Sequence, residues 1–163
     1  MKLLASLIFL LISFSSSAQE LNLGINLGTD LGGWRTGLFS VGPSLEFTPK
    51  MSIFSINTEV NYWNYNNQNA IMIPLYLRFF LGKKIRIGSS VGGFLKSNNH
   101  YGWLAGVNFD TRLSNRLRLF AKTEAIFEKW KYDSYDKWGK PIELHDGMFY
   151  LTVCFGIKYN ILE

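Results

Sequence analysis

From Leu21 to Tyr159 apolar and polar residues alternate along almost the whole chain. A period of two is the signature of β-strands whose two faces differ. The first run, residues 21–27, sets Leu21, Leu23, Ile25 and Leu27 against Asn22, Gly24 and Asn26. Further runs of the same kind cover residues 39–47, 54–62, 71–81, 85–95, 102–110, 117–127 and 149–159. Eight strands are predicted, with no long helical pattern among them. Tight turns at Thr48-Pro49-Lys50, Gly82-Lys83-Lys84 and Ser114-Asn115-Arg116 alternate with longer connections at 30–36, 64–69, 96–101 and 131–147. Short turns on one side and long loops on the other are the rhythm of an up-and-down transmembrane barrel with both termini on the periplasmic side. Pro43 and Pro74 fall inside predicted strands, the first on the apolar face and the second facing inward. Each removes a ladder hydrogen bond, so a bulge or a strand end is expected there.

Which face lies inside is decided by volume and by side-chain type. The apolar face carries roughly thirty large side chains, more than the snug interior of an eight-stranded barrel can hold. The other face is rich in Gly, Ser, Asn and Thr, small residues that fit a crowded lumen, where a soluble exterior would carry many Lys and Glu. The expected fold is therefore all-β, an eight-stranded antiparallel up-and-down transmembrane β-barrel with its apolar face toward lipid. The alternative is a soluble lipocalin-type barrel with the faces reversed. It rests on one literal match, Gly32-Gly33-Trp34, which falls in a predicted loop, and no helix is predicted after the last strand.

Composition narrows the class. Of 163 residues, 47% are hydrophobic and 18% charged, which excludes a disordered chain. Aromatics at 16% together with 15 glycines suit strands and tight turns. Met1-Lys2, the apolar run at 3–14 and Ser15-Ser16-Ser17-Ala18 read as a cleaved signal peptide, residues 1–18. The run is too short for a membrane-spanning helix, which needs about 20 residues. The barrel domain is then 19–163, with Gln19 first in the mature chain and no cysteine after the cut for a lipid anchor. The net charge of +5 comes from scattered residues, which speaks against nucleic acid as a partner. A single cysteine, Cys154, excludes an intrachain disulfide.

Two segments carry a family resemblance. One is the signal ending Ser17-Ala18-Gln19. The other is Ile73-Pro74-Leu75-Tyr76-Leu77-Arg78-Phe79-Phe80, leading through Gly82-Lys83-Lys84 into a Gly-rich strand. Together they resemble the small outer-membrane β-barrel domain family common in Bacteroidota. That resemblance implies an eight-stranded barrel in a Gram-negative outer membrane and no chemistry common to all members. The chain departs from many outer-membrane barrels at its end, where Asn160-Ile161-Leu162-Glu163 follow Tyr159 in place of a terminal aromatic.

The inward charges are Glu46, Glu59, Arg78, Arg86, Asp110, Arg118, Lys122, Glu124 and Lys158, placed in the periplasmic half and middle of the lumen. Charges buried together are expected to pair and close the barrel; the rival reading is a narrow ion pore. Nearer the extracellular side Trp63, Met72, Phe94, Leu104, Ile126, Trp130, Met148 and Tyr150 point inward, with Gly92, Gly102 and Gly106 leaving space. They either fill the barrel top or form an apolar cup for a lipid-like ligand. The histidines, His100 and His145, both lie in predicted loops. His145-Asp146 with Ser134 is a conceivable constellation of a lipid-modifying enzyme, but its spacing matches no nucleophile motif. No catalytic residue, metal site or cofactor is assigned. The loop 131–147, with Tyr132, Tyr135 and Trp138 among eight charged or His residues, is either a lip over the barrel mouth or a surface for an extracellular or periplasmic protein partner. Tyr62, Tyr65, Tyr101, Trp103 and Phe149 are expected as an upper aromatic girdle against outer-membrane lipids, and Phe47, Phe54, Phe79 and Tyr159 as a lower one. The expectation is a non-enzymatic outer-membrane protein with a plugged lumen and a structural or surface-interaction role. Its rivals are a hydrophobic-ligand carrier and a lipid-modifying enzyme.

Overall fold

A strand with one face in lipid can satisfy its backbone only through its neighbours, so a sheet in that setting must close on itself. The computed structural model describes residues 18–31, 39–49, 53–65, 68–135 and 140–162. They form nine strands: β1 (Ala18–Asp30), β2 (Phe39–Pro49), β3 (Phe54–Glu59), β4 (Asn61–Tyr65), β5 (Gln68–Leu81), β6 (Ile85–Lys96), β7 (Tyr101–Arg112), β8 (Leu117–Tyr135) and β9 (Pro141–Asn160). Apart from β3 and β4, sequential neighbours pair antiparallel, and β1 closes the ring on β9 from Asn22↔Asn160 to Asp30↔Thr152. Residues 1–17 of the predicted signal peptide 1–18, and Gly32-Gly33-Trp34, lie outside the described residues.

Strands β3 and β4 are two halves of one staved position, so the ring has eight members. The break at Val60 has a cause on both flanks. Register is constant across it on β2 and on β5, which sets Pro43 opposite Val60 and Pro74 opposite Glu59. Val60 N–H donates to the Pro43 carbonyl at 3.0 Å, but Pro43 has no N–H to return. Pro74 leaves the Glu59 carbonyl short of a ladder donor in the same way. The two prolines thus interrupt one strand at adjacent residues without shifting its register. Gly42 accommodates the loosened backbone, since a Cβ there would meet the Val60 carbonyl oxygen at 2.0 Å.

The apolar face is outside. Leu23, Ile25, Leu27, Ile73, Leu75, Ile87, Val91, Val107 and Phe155 are all about half exposed or more. The alternating partners Asn22, Asn26, Ser44, Asn57, Ser90, Asn108 and Thr152 are buried. This order is the reverse of a soluble barrel and excludes the lipocalin-type alternative. The upper aromatic belt takes the form of a row at one height across three strands. Trp103, Phe127 and Phe149 are cross-strand neighbours, with ring centroids 3.8 Å and 4.7 Å apart. Phe54 and Phe79 face each other at the lower end. Phe47 departs from the expectation for that lower belt, being buried and not presented to lipid.

The long connection at 131–147 also departs from expectation. It is an extension of the β8–β9 hairpin, paired in register from Lys131↔His145 to Tyr135↔Pro141. Asp136, Lys137 and Trp138 lie outside the described residues. Pairing of β8 with β7 ends at Tyr101↔Lys129, and that of β9 with β1 at Asp30↔Thr152. Above those points, among the described residues, the hairpin continues as a two-stranded ribbon.

An arginine at Val107, halfway along β7 and facing out, should lower the stability of the lipid-reconstituted barrel by about 2–4 kcal/mol. Urea unfolding monitored by tryptophan fluorescence measures this; an unchanged midpoint would mean that this face meets water.

Candidate functional site

Inward-facing positions recur every second residue, so β8 alone carries Arg118, Phe120, Lys122, Glu124, Ile126 and Glu128 up one side of the lumen. Every predicted lumen charge, Glu46, Glu59, Arg78, Arg86, Asp110, Arg118, Lys122, Glu124 and Lys158, is buried. They join in tiers along the barrel axis.

In the middle tier Arg78 donates to Glu46 at 2.9 Å and to Asp110 at 3.0 Å. Lys158 bridges the same two carboxylates at 2.6 and 3.2 Å, and the Ser55 hydroxyl donates to Glu46 at 2.6 Å. Two cations and two anions, supplied by β2, β5, β7 and β9, thus tie opposite walls together. The Lys158 ammonium also lies 4.5 Å from the Phe120 ring centre. Phe120 in turn covers Gly156, where a Cβ would strike the ring at 2.4 Å. One tier higher, Lys122 donates to both Glu59 oxygens at 2.8 and 2.9 Å and to the Tyr76 hydroxyl at 2.9 Å. Glu124 stands 3.2 Å from the same ammonium, and Asn61 donates to Glu59 at 2.7 Å.

At the short-turn end Glu20 accepts from Arg86, Arg112 and Arg118 on one oxygen, at 2.8, 3.1 and 3.3 Å. At the long-loop end Glu128 accepts from Lys96 at 2.6 Å and from the Tyr150 hydroxyl at 2.7 Å. Its other oxygen lies 2.5 Å from His100 Nδ1. Sequence reasoning missed Glu20, Lys96, Arg112 and Glu128, because its strands stopped short of them. Parity held the signal: Glu20 continues the Asn22 face, Lys96 the Phe94 face, Arg112 the Asp110 face and Glu128 the Ile126 face.

These additions change the predicted cup. Trp63, Met72, Phe94, Leu104, Ile126 and Tyr150 do converge, and Tyr76 joins them in one buried cluster. Their centre is polar, however, since Lys96 lies 4.8 Å from the Trp63 ring and the Lys96–Glu128–Tyr150 bonds run through it. Trp130 is only partly covered, stacking on His100 at 5.0 Å, and Met148 is 39% exposed at the rim, so neither belongs to the cluster. The glycines do not leave space. A Cβ at Gly92 would meet the Leu75 carbonyl oxygen at 2.1 Å, one at Gly102 the Phe127 carbonyl oxygen at 1.9 Å, and one at Gly106 the Thr123 carbonyl oxygen at 2.4 Å.

No catalytic constellation forms from the other predicted residues. Ser134 pairs with Ile142 on the ribbon face that continues the lumen side, whereas His145 pairs with Lys131 on the opposite face. His145 is exposed and lies 3.4 Å from Glu143, which Lys131 also approaches at 2.7 Å. The Lys131 hydrogen bond holds the Glu143 carboxyl below its ordinary range. His100, in the connection between β6 and β7, is held between Glu128 and Trp130. Among the described residues no three His, Cys, Asp or Glu side chains gather as a metal site requires.

No protein-family model matches the chain. No curated protein matches it. Solved structures do resemble it in fold. The N-terminal β-barrel domain of Pseudomonas aeruginosa OprF aligns with a TM-score of 0.61 at 8% identity, over 88% of this chain and 98% of that one. A de novo designed transmembrane β-barrel aligns with a TM-score of 0.56 at 14% identity, over 88% and 97%. A second designed protein, TMB2.3, gives 0.53 at 14% over the same shares. The chain has the fold of a transmembrane β-barrel.

Replacing Lys158 by Met should cost about 3–5 kcal/mol, because Glu46 and Asp110 would remain buried with a single cation between them. The solvent-exposed Lys131→Met should leave the urea midpoint unchanged. Equal midpoints for both variants would show that the lumen pairs hold nothing together.

Proposed function

We propose that this is a non-enzymatic integral outer-membrane protein whose lumen is plugged by its own ion pairs and whose working surface is the β8–β9 ribbon. The observation that carries the reading is the middle of the lumen, where Glu46, Arg78, Asp110 and Lys158 bond across the barrel with every member buried. A hydrated ion following this path would have to break several charge-assisted hydrogen bonds at once. The filled cluster above it argues against a carrier of apolar ligands, and the opposed faces of Ser134 and His145 argue against the lipid-modifying enzyme.

The signal-like residues 1–18, the outward apolar face and the likeness to outer-membrane barrels support export and residence in the outer membrane. The short turns would then face the periplasm and the ribbon the exterior. The segment Ile73 to Phe80 supports a place among the small barrels of Bacteroidota. A structural or surface-interaction role follows from what remains exposed: a paired ribbon bearing Tyr132, Lys131, Glu143 and His145, held on a rigid base. Loops and ribbons on such scaffolds carry recognition while the barrel only positions them.

Planar-bilayer recordings in molar KCl test the plug. The protein should insert without stepwise conductance, and single-channel steps of porin size would overturn the proposal.

A further inference from the structure

We infer that the short-turn mouth of the barrel binds a phosphate-bearing anion between Arg86, Arg112 and Arg118. The charge balance there is unlike that of the tiers above it. The middle tier sets two carboxylates against two cations, and Lys122 faces both Glu59 and Glu124. At the mouth three guanidinium groups share one oxygen of one carboxylate, Glu20. Asp110, the cross-strand partner of Arg86, is already bonded to Arg78 and Lys158.

The guanidinium groups also keep unused donors. Arg86 Nε and Nη1, Arg112 Nε and Arg118 Nη1 are buried and make no hydrogen bond among the described residues. The Arg86 and Arg118 side chains are only 9% and 4% exposed, so these donors are withdrawn from bulk solvent. Neutral lumen groups such as Asn22 and Asn108 need only a water molecule. Buried cations in excess need an anion, because the cost of desolvating charge is recovered only by an opposite charge.

An entry route is present. A cleft of about 340 Å³ between the two short turns is lined by Lys83, Lys84, Arg112, Leu113, Ser114 and Asn115. Arg112 lines this cleft and touches Glu20, while Arg118 donates to the Lys83 carbonyl at 3.3 Å. The cleft therefore borders the arginine cluster through Arg112, with two further lysines in its lining. Planar guanidinium forks fit phosphate oxygens two at a time, and an excess of two positive charges matches a phosphate dianion better than a single carboxylate. The anion is either free phosphate or the phosphate of a lipid headgroup. Assignment of the second source to the periplasmic leaflet rests on the orientation proposed above, whereas the anion chemistry does not.

Isothermal titration of the full chain in non-ionic, phosphate-free detergent solution tests the site, with inorganic phosphate and dihexanoyl phosphatidylglycerol as separate probes. At least one should bind saturably. Arg112→Gln, at a half-exposed position, should weaken that binding about tenfold or more, the loss expected for a charged hydrogen-bonding group. Lys129→Gln, exposed at the opposite end, should leave it unchanged. Binding of phosphate identifies a free-anion site, and binding of the lipid alone identifies a headgroup site; either supports the inference. The absence of binding by both probes, or equal binding by Arg112→Gln and the unaltered protein, overturns it. Arg118→Gln is a second variant of the cluster, used only if it retains the unaltered protein's circular dichroism spectrum. Conductance of the barrel has no bearing on these outcomes, so failure here is distinguishable from failure of the plugged-lumen reading.

Discussion

The constraint on which everything else depends is the lack of water outside the barrel wall. Lipid offers no hydrogen bonds, so the backbone must pair all the way round and polar side chains have only one place to go. Alternation then sorts the chain into two populations. Leu23, Ile25 and Leu27 face out while Asn22 and Asn26, one residue away along the chain, are buried. The same sorting brings acids and bases into a narrow lumen where each must find a partner. The ion pairs are thus a consequence of closure as much as a cause of it.

Their geometry ties the strands of the ring to one another. Glu46 from β2, Arg78 from β5, Asp110 from β7 and Lys158 from β9 bond at the centre, so four strands around the ring share one network. Apolar residues of similar volume could fill such a space with equal or greater stability. What charges add is directional: each bond specifies which strands stand opposite which. That rigidity is useful at the long-loop end, where β8 and β9 leave the ring and continue as a ribbon. The Glu128 hub, with Lys96, Tyr150 and His100, sits directly beneath the ribbon and anchors its base.

Much of this was legible in the sequence because a period of two is hard to counterfeit over eight runs. The nine charges that strand parity assigns to the lumen are all buried in the structure, and Pro43 and Pro74 flank the break at Val60. Their joint effect on one strand was not legible, since it depends on the register of both flanking strands at Val60. Strand ends were the other blind spot. Glu20, Lys96, Arg112 and Glu128 sit where alternation runs into polar turns, and a charge at such a place reads as loop. Only the neighbouring strands reveal that it points inward. The glycines misled for a related reason: a missing side chain was read as empty space, whereas backbone oxygens or a ring from adjacent strands occupy it. The 131–147 segment hid its pairing because its apolar positions, Tyr132, Ile142 and Leu144, are few and are interrupted by Ser134 and Asp146, too short a run to show the period.

The central claim is that the apolar face meets lipid around a closed, internally bonded ring. Semi-native gel electrophoresis of isolated outer membranes tests it most directly, by comparing unheated with boiled samples. A closed barrel should resist detergent, migrate ahead of its boiled form when unheated, and shift only on boiling. Recovery of the protein in the soluble periplasmic fraction, with one mobility before and after boiling, would contradict the account.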